Sequence, residues 1–262
     1  MSAPAGTELL RASDVTVRLG DAEVVKRASV TLHAGALVAL VGPNGAGKTT
    51  LIRALAGLLP AEGEIMLGER RLGVMGNRER ARAVAYLPQG HVFHWPMQAA
   101  AVVAIGRYPH MDSFSTPSPQ DRAAVSRAMQ RTATEAFAER RVTTLSGGER
   151  ARIALARALA TEAPVLLADE PTASLDPRHQ LVVMELLRSA TRDGGAVLAI
   201  LHDLTLAARF ADRVLVMDGG RIVADDVPGE ALSPQRVAQV FGVEAMMVDT
   251  GAGMALIARN PL

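Results

Sequence analysis

Eight consecutive residues, Gly42-Pro43-Asn44-Gly45-Ala46-Gly47-Lys48-Thr49, have the types and spacing needed to enclose phosphate groups. Glycines allow the tight backbone turn that points successive N–H groups inward at phosphate oxygens. Lys48 brings a point charge suited to β- and γ-phosphates, and the Thr49 hydroxyl can ligate Mg2+. A helix beginning at Gly47 would aim its positive end at the same anions. The bland alternative is a glycine-rich turn with an incidental Lys-Thr pair. Context decides against it, because an apolar run (37–41) precedes the loop and an amphipathic segment follows it.

A second group of chemical residues ends another apolar run. Val165-Leu166-Leu167-Ala168 reads as a buried strand that delivers Asp169 and Glu170 to the carboxyl edge of a sheet, where α/β proteins bind ligands. There Asp169 can hold Mg2+, directly or through water, and Glu170 can polarise an attacking water as general base. Leu145-Ser146-Gly147-Gly148-Glu149 lies 20 residues before Asp169. Ser146 with Glu149 three positions on is a capping box, and the two glycines leave N–H groups at a helix start free to face a phosphate.

The elements that must position these residues alternate between strand and helix. Residues 15–17, 24–25 and 30–32 read as short strands, and 37–41 as a buried parallel strand because both faces are apolar. The helix after the phosphate loop carries Leu51, Ile52, Leu55, Leu58 and Leu59 at helical spacing and is closed by Pro60. Downstream come a helix after Pro177, a strand over 196–201, a helix capped by Asp203, and a hairpin turning at Asp218-Gly219-Gly220. From 90 to 161 only helix-like segments occur (97–107, 121–134, 149–160), with a Ser-, Thr- and Pro-rich loop from Ser113 to Pro119. The fold class expected is α/β, a mainly parallel sheet with antiparallel edge strands and an inserted helical subdomain. Its boundaries divide one domain, 1–262, into a core of 1–89 and 162–262 and a helical part of 90–161.

Composition removes several classes of function. The 28 basic and 27 acidic residues nearly cancel, so no overall charge points to nucleic acid, and 49% hydrophobic residues exclude wholesale disorder. The absence of cysteine excludes disulfides, thiolate zinc sites and cysteine nucleophiles. No secretory leader is visible at 1–10, and no run approaches the roughly 18 apolar residues a membrane-spanning helix needs. A membrane role would have to come through a partner.

Taken in order along the chain, these motifs resemble the ABC ATPase family, built on the P-loop NTPase (RecA-like) fold, whose signature reads LSGGQ or LSGGE. Gln89, within Tyr86-Leu87-Pro88-Gln89, matches the family's Q-loop glutamine, Ala173-Ser174-Leu175-Asp176 its D-loop, and His202 its switch histidine. The resemblance implies an Mg2+-dependent ATP hydrolase in which two copies pack head to tail. Each ATP would lie between Gly42–Thr50 of one chain (Thr50 included) and Ser146, Gly147, Gly148 and Glu149 of the other. It further implies that His202 contacts the γ-phosphate and that Gln89 contacts Mg2+ or water while sensing a membrane partner. One departure stands out. The family usually stacks adenine on an aromatic residue before the phosphate loop, but this register holds Leu19, and the first aromatic in the chain is Tyr86.

Gly106-Arg107-Tyr108-Pro109-His110, Gly148-Glu149-Arg150 and His202-Asp203-Leu204 are similar to the ATPases of iron–siderophore, haem and cobalamin importers. That resemblance implies two many-helix permease subunits as partners, indirectly a periplasmic binding protein, and attachment at the cytoplasmic face of the inner membrane. His91, His94, Trp95 and His110 invite a metal or haem reading, but two histidines at i, i+3 without carboxylate or cysteine support are weak ligands. By the resemblance, 91–95 follow the Q-loop where the permease's coupling helix docks, and Trp95 suits an apolar interface. The competing classes are non-transport ABC ATPases acting on nucleic acid or chromosomes, and P-loop kinases. Long heptad tracts, zinc-binding cysteines or tandem cassettes would mark the former, and none is present.

Overall fold

Every residue of 37–41 is apolar, and the strand it forms has a packed layer on each face. The computed structural model describes residues 4, 6–90, 93–112, 115–251 and 254–262; His91 and Ser113 lie outside them. In chain order the elements are β1 (Glu8–Leu19), β2 (Ala22–His33), β3 (Leu37–Val41), α1 (Lys48–Leu55), β4 (Glu62–Leu67), β5 (Arg70–Arg71), α2 (Asn77–Ala83) and β6 (Val84–Leu87). Three helices follow, α3 (Ala99–Ala104), α4 (Pro119–Arg131) and α5 (Gly147–Leu159). The chain then makes β7 (Val165–Ala168), α6 (Pro177–Arg192), β8 (Ala196–Ile200), α7 (Leu204–Phe210), β9 (Arg213–Asp218) and β10 (Arg221–Asp226). It ends in α8 (Pro228–Ala231), α9 (Pro234–Phe241), β11 (Val243–Asp249) and β12 (Met254–Pro261).

The central sheet has the order β10-β9-β3-β8-β7-β6, parallel except for the antiparallel edge strand β10. Side chains alternate between its faces with period two. Val38, Leu40, Val165, Leu167, Leu198 and Ile200 meet α1 and an antiparallel sheet of order β2-β1-β4-β5. Leu37, Ala39, Val41, Leu166, Ala168, Val197 and Ala199 meet α5, α6 and α7. The α/β class with parallel centre and antiparallel edges is what the sequence pattern predicts.

Boundaries differ where tertiary pairing outweighs local pattern. The short strands expected at 15–17, 24–25 and 30–32 are parts of two 12-residue strands, paired with four register shifts that break the alternation. The helix α1 stops at Leu55, not Pro60, because Gly57 adopts φ 69 and the Leu58 N–H bonds back to the Arg53 carbonyl at 2.8 Å. Leu58 is consequently exposed. The helix expected over 97–107 is α3 followed by a 3-10 turn, Ile105–His110, and β4, β5, β6, β11 and β12 are strands beyond those the sequence pattern predicts.

Between β6 and β7 the described residues form helices and 3-10 turns around a separate apolar cluster (Val102, Val103, Met129, Val142, Leu145, Ile153). A buried guanidinium ties this part together. Arg107 Nε donates to Asp121 Oδ1 at 3.0 Å, and its Nη1 donates to the Ala160 carbonyl at 2.7 Å and to Glu162 at 2.9 Å. The Ser118 hydroxyl and Arg107 together hold the Asp121 carboxyl down from 3.8 to about 2. A carboxyl depressed on folding stabilises the fold above its unfolded pKa and loses that contribution as acid protonates it. Melting temperature should therefore fall through the window from pH 3.8 to about 2. Asp121→Asn should melt lower at neutral pH and show a shallower fall across that window; an unchanged acid slope would remove Asp121 from the stability of this part.

Candidate functional site

Four parallel strands end at one edge of the central sheet, and each carboxyl end leads into one candidate group. β3 runs into the phosphate loop, β6 into Pro88 and Gln89, β7 into Asp169 and Glu170, and β8 into Leu201 and His202. The site is thus a product of strand polarity.

In the loop, Gly47 stands at φ 98 as the residue before α1, and a Cβ there would lie 2.8 Å from the Val24 carbonyl oxygen. Ala46 N–H donates to the Pro43 carbonyl at 3.2 Å, which closes the turn, while Asn44 and Gly45 are exposed. Lys48 is buried and donates to the carbonyls of Gly42 (2.7 Å) and Pro43 (2.9 Å). Burial lowers its pKa, and Glu170 and Asp169 pull it back up, so the ammonium faces two carboxylates across the site.

Thr49 Oγ1 donates to Asp169 Oδ1 at 3.0 Å, and Asp169 is fully buried. A hydroxyl and a carboxylate oxygen this close, beside a phosphate loop, form the hard-oxygen set that Mg2+ takes while keeping several waters. The residues present fit that ion. Asp169 Oδ2 accepts from the Tyr86 hydroxyl at 2.9 Å, and the Tyr86 hydroxyl oxygen accepts in turn from Arg53 Nε at 3.3 Å. Burial raises the Tyr86 pKa, which keeps the phenol a donor.

Glu170 is the centre of the second cluster. Its Oε2 accepts from Gln89 Nε2 at 2.7 Å, and its Oε1 lies 2.7 Å from His202 Nε2. The side chain is largely buried, whereas Gln89 and His202 are exposed. Glu170 also holds φ 51, a left-handed value uncommon outside glycine, directly after a fully buried strand. Strain of that kind collects where a side chain must point in one direction.

At the other candidate surface Ser146 caps α5. Glu149 N–H donates to Ser146 Oγ at 3.3 Å, and Ser146 N–H donates to Glu149 Oε2 at 2.7 Å, a capping box. That backbone bond lowers the Glu149 pKa. The N–H groups of Gly147 and Gly148 open the helix, and a Cβ on Gly148 would lie 2.1 Å from His179 Cδ2. His179 Nδ1 is held by Asp176 Oδ2 at 2.8 Å, so the residues matching the D-loop pack against the signature helix. Among the described residues no hydrogen bond or ion pair joins 145–149 to the phosphate loop.

The structure therefore gathers Lys48, Thr49, Gln89, Asp169, Glu170 and His202 and leaves Ser146–Glu149 outside that group. Thr50, in the first turn of α1, is half-buried. Leu19 ends β1 and is 46% exposed. His94 and Trp95 are exposed, while His110 Nε2 sits 2.8 Å from the Thr161 carbonyl. No group of three or more His, Cys, Asp or Glu that could hold a metal occurs among the described residues. Sequence reasoning missed Tyr86, Arg53 and His179. Tyr86 had a signal, since a polar hydroxyl in the strand before Gln89 must find a partner beside β7.

A phosphate loop, a following acidic strand end and a capped glycine pair on an inserted helical unit define an ABC-type nucleotide hydrolase. A family model described as ABC transporter matches residues 25–173. The chain is 42% identical to the hemin import ATP-binding protein HmuV of Rhodococcus jostii, over 98% of this chain and 89% of that protein. It is 36% identical to the ferric enterobactin transport ATP-binding protein FepC of Escherichia coli, over 92% and 89%. A solved metal-chelate type ABC transporter in an inward-facing conformation superposes with a TM-score of 0.84 at 21% identity, covering 97% of this chain and 98% of that one, a likeness of fold. The chain belongs to the ABC transporter family, as an ATP-binding and ATP-hydrolysing subunit.

Proposed function

We propose that this chain hydrolyses MgATP between two head-to-tail copies of itself and energises import of haem, an iron chelate or cobalamin through a membrane permease. The observation that carries the chemistry is the convergence of Gln89 and His202 on Glu170, next to the Thr49–Asp169 pair. Lys48 and the loop N–H groups hold the phosphates. Thr49 and Asp169, with Gln89, hold Mg2+, which when bound neutralises charge on the β- and γ-phosphate oxygens. Glu170 takes a proton from the attacking water. Each of its oxygens keeps a second lone pair beyond its present partner, so water can be accepted without losing Gln89 or His202. His202 then lies where the γ-phosphate is approached. Ser146, Gly147, Gly148 and Glu149 serve the partner copy's nucleotide, with α5 aiming its positive end at the phosphates.

In this reading the core comprises 1–89 and 162–262, and 90–161 is the helical signature subdomain. The names of the relatives support the cargo class: hemin for one and ferric enterobactin for the other. They also support a peripheral position on the cytoplasmic face of the membrane, beside the permease. Among the described residues no helix is long and apolar enough to cross a membrane.

Trp95, 76% exposed beside half-buried Phe93, is the candidate anchor for the permease. An aromatic hot spot contributes about 2 kcal/mol or more, so Trp95→Glu should weaken permease affinity by roughly thirtyfold. Transport and permease-stimulated ATPase should fall while basal ATPase stays near wild type; equal losses in all three would make Trp95 a folding residue. Uptake by the reconstituted transporter decides the cargo: ATPase stimulated by none of haem, ferric siderophore or cobalamin would overturn the importer reading.

A further inference from the structure

The Asp169 carboxylate has no freedom to choose its orientation. It is fully buried, its backbone N–H is fixed to the Leu87 carbonyl at 2.8 Å, and its two oxygens face different partners. Oδ1 accepts from Thr49, and Oδ2 accepts from the Tyr86 hydroxyl at 2.9 Å. Tyr86 lies on β6 beside Leu167 of β7, so the sheet register itself brings its ring alongside the Asp169 turn. Its hydroxyl also accepts from Arg53 Nε at 3.3 Å. Arginine can only donate, and a phenol carries a single proton. With Arg53 donating to the phenolic oxygen, that proton must point at Asp169. The direction of the whole chain, Arg53 to Tyr86 to Asp169, is therefore fixed by valence.

We propose that Tyr86, oriented by Arg53, is a positioning residue that presents the Asp169 carboxylate to the divalent cation. The inference rests on Thr49 and Asp169 holding that cation. Both members belong to rigid elements, Arg53 to α1 five residues after Lys48 and Tyr86 to a central-sheet strand. The phosphate-loop helix and the acidic strand end are thereby tied to each other through Arg53 and Tyr86. A carboxylate with Oδ2 so held can turn neither its plane nor its second oxygen toward the cation, and it offers Oδ1 alone. Outer partners of this kind typically change metal affinity by about ten- to a hundredfold when removed.

The test uses the full chain and Mn2+ as probe, with free Mn2+ read by electron paramagnetic resonance in the presence of ADP. Tyr86→Phe keeps the ring and its packing while deleting the hydroxyl. It should weaken Mn2+ binding by about tenfold and leave ADP affinity in EDTA within about twofold. Arg53→Gln, a change at an exposed position, should weaken Mn2+ binding by a smaller factor, because the hydroxyl proton is then free to turn. Thr49→Ala and Asp169→Asn are the controls for the cation site itself. If those two leave Mn2+ binding intact, the metal assignment fails. If they abolish it and Tyr86→Phe binds Mn2+ like wild type, the metal assignment stands and the positioning role is overturned. An equal loss of metal-free ADP binding and Mn2+ binding in Tyr86→Phe would also overturn it, since the hydroxyl would then be supporting the fold of the loop.

Discussion

Glu170→Gln is expected to bind MgATP as tightly as wild type and to hydrolyse it roughly a thousandfold more slowly, the middle of the range for a lost general base. The substitution preserves side-chain shape in a site where the carboxylate is largely buried between Gln89 and His202. Gln89 Nε2 and His202 Nε2 each approach one oxygen, and an amide offers one acceptor atom and one donor group. The amide oxygen can keep the Gln89 bond, and the NH2 can donate to His202 Nε2 once that ring carries its proton on Nδ1, so both contacts survive with the tautomer changed. With hydrolysis blocked, ATP should convert the free subunit from a 27.6 kDa species to one of twice that mass on gel filtration. Wild-type turnover in this variant would take Glu170 out of the mechanism. Slow turnover without the larger species would keep the base and remove the ATP-bridged dimer.

The phosphate loop and the acidic pair were legible because each follows its own apolar run in sequence. Residues 37–41 and 165–168 are apolar at every position, which marks buried parallel strands, and the groups following them are therefore at the ligand-binding edge. The capping box at Ser146 and Glu149 was equally readable, since its logic spans only three residues. What resisted reading depended on distant partners. The strand Glu62–Leu67 exists because it pairs with Glu8–Leu19, and its own six residues show no clean alternation. The helix Lys48–Leu55 ends at a glycine in the middle of an unbroken apolar repeat, so Leu58 and Leu59 extended the pattern past the helix. Tyr86 was visible as part of a motif, but its bond to Asp169 crosses 83 positions and is set by the β6–β7 register. The same holds for His179 on Gly148, where the helix Pro177–Arg192 meets the signature helix. Local physics therefore gave Lys48, Thr49, Asp169, Glu170 and the Ser146 cap, the family resemblance gave Gln89 and His202, and tertiary packing gave the contacts that orient them.

Mixing two inactive variants should restore activity if each site draws on both chains. Lys48→Ala deletes the buried ammonium of the phosphate loop, and Ser146→Arg removes the acceptor that caps the Glu149 N–H and adds bulk before Gly147. Each homodimer then contains two defective sites. In a mixed dimer of the head-to-tail kind, both lesions fall in one site, while the other combines wild-type Lys48 of one chain with wild-type Ser146 of its partner. Hydrolysis should rise above either variant alone, toward one working site per mixed dimer. Random mixing at equal concentration makes half of the dimers mixed, so the ceiling is about a quarter of wild-type activity for independent sites. A site complete within one chain predicts no recovery, because every chain carries its own lesion. Strict coupling between the two sites could suppress recovery for a different reason, and a cross-link separates the cases. With cysteine at Asn44 of one variant and at Gly147 of the other, both placed in a chain that has no cysteine of its own, ATP should promote a disulfide between chains. Asn44 and Gly147 are exposed, so the substitutions leave the core untouched. A cross-link without recovered hydrolysis would mean coupled sites in a head-to-tail dimer. Neither cross-link nor recovery would mean that the capped glycines of α5 serve something other than the nucleotide of a second copy.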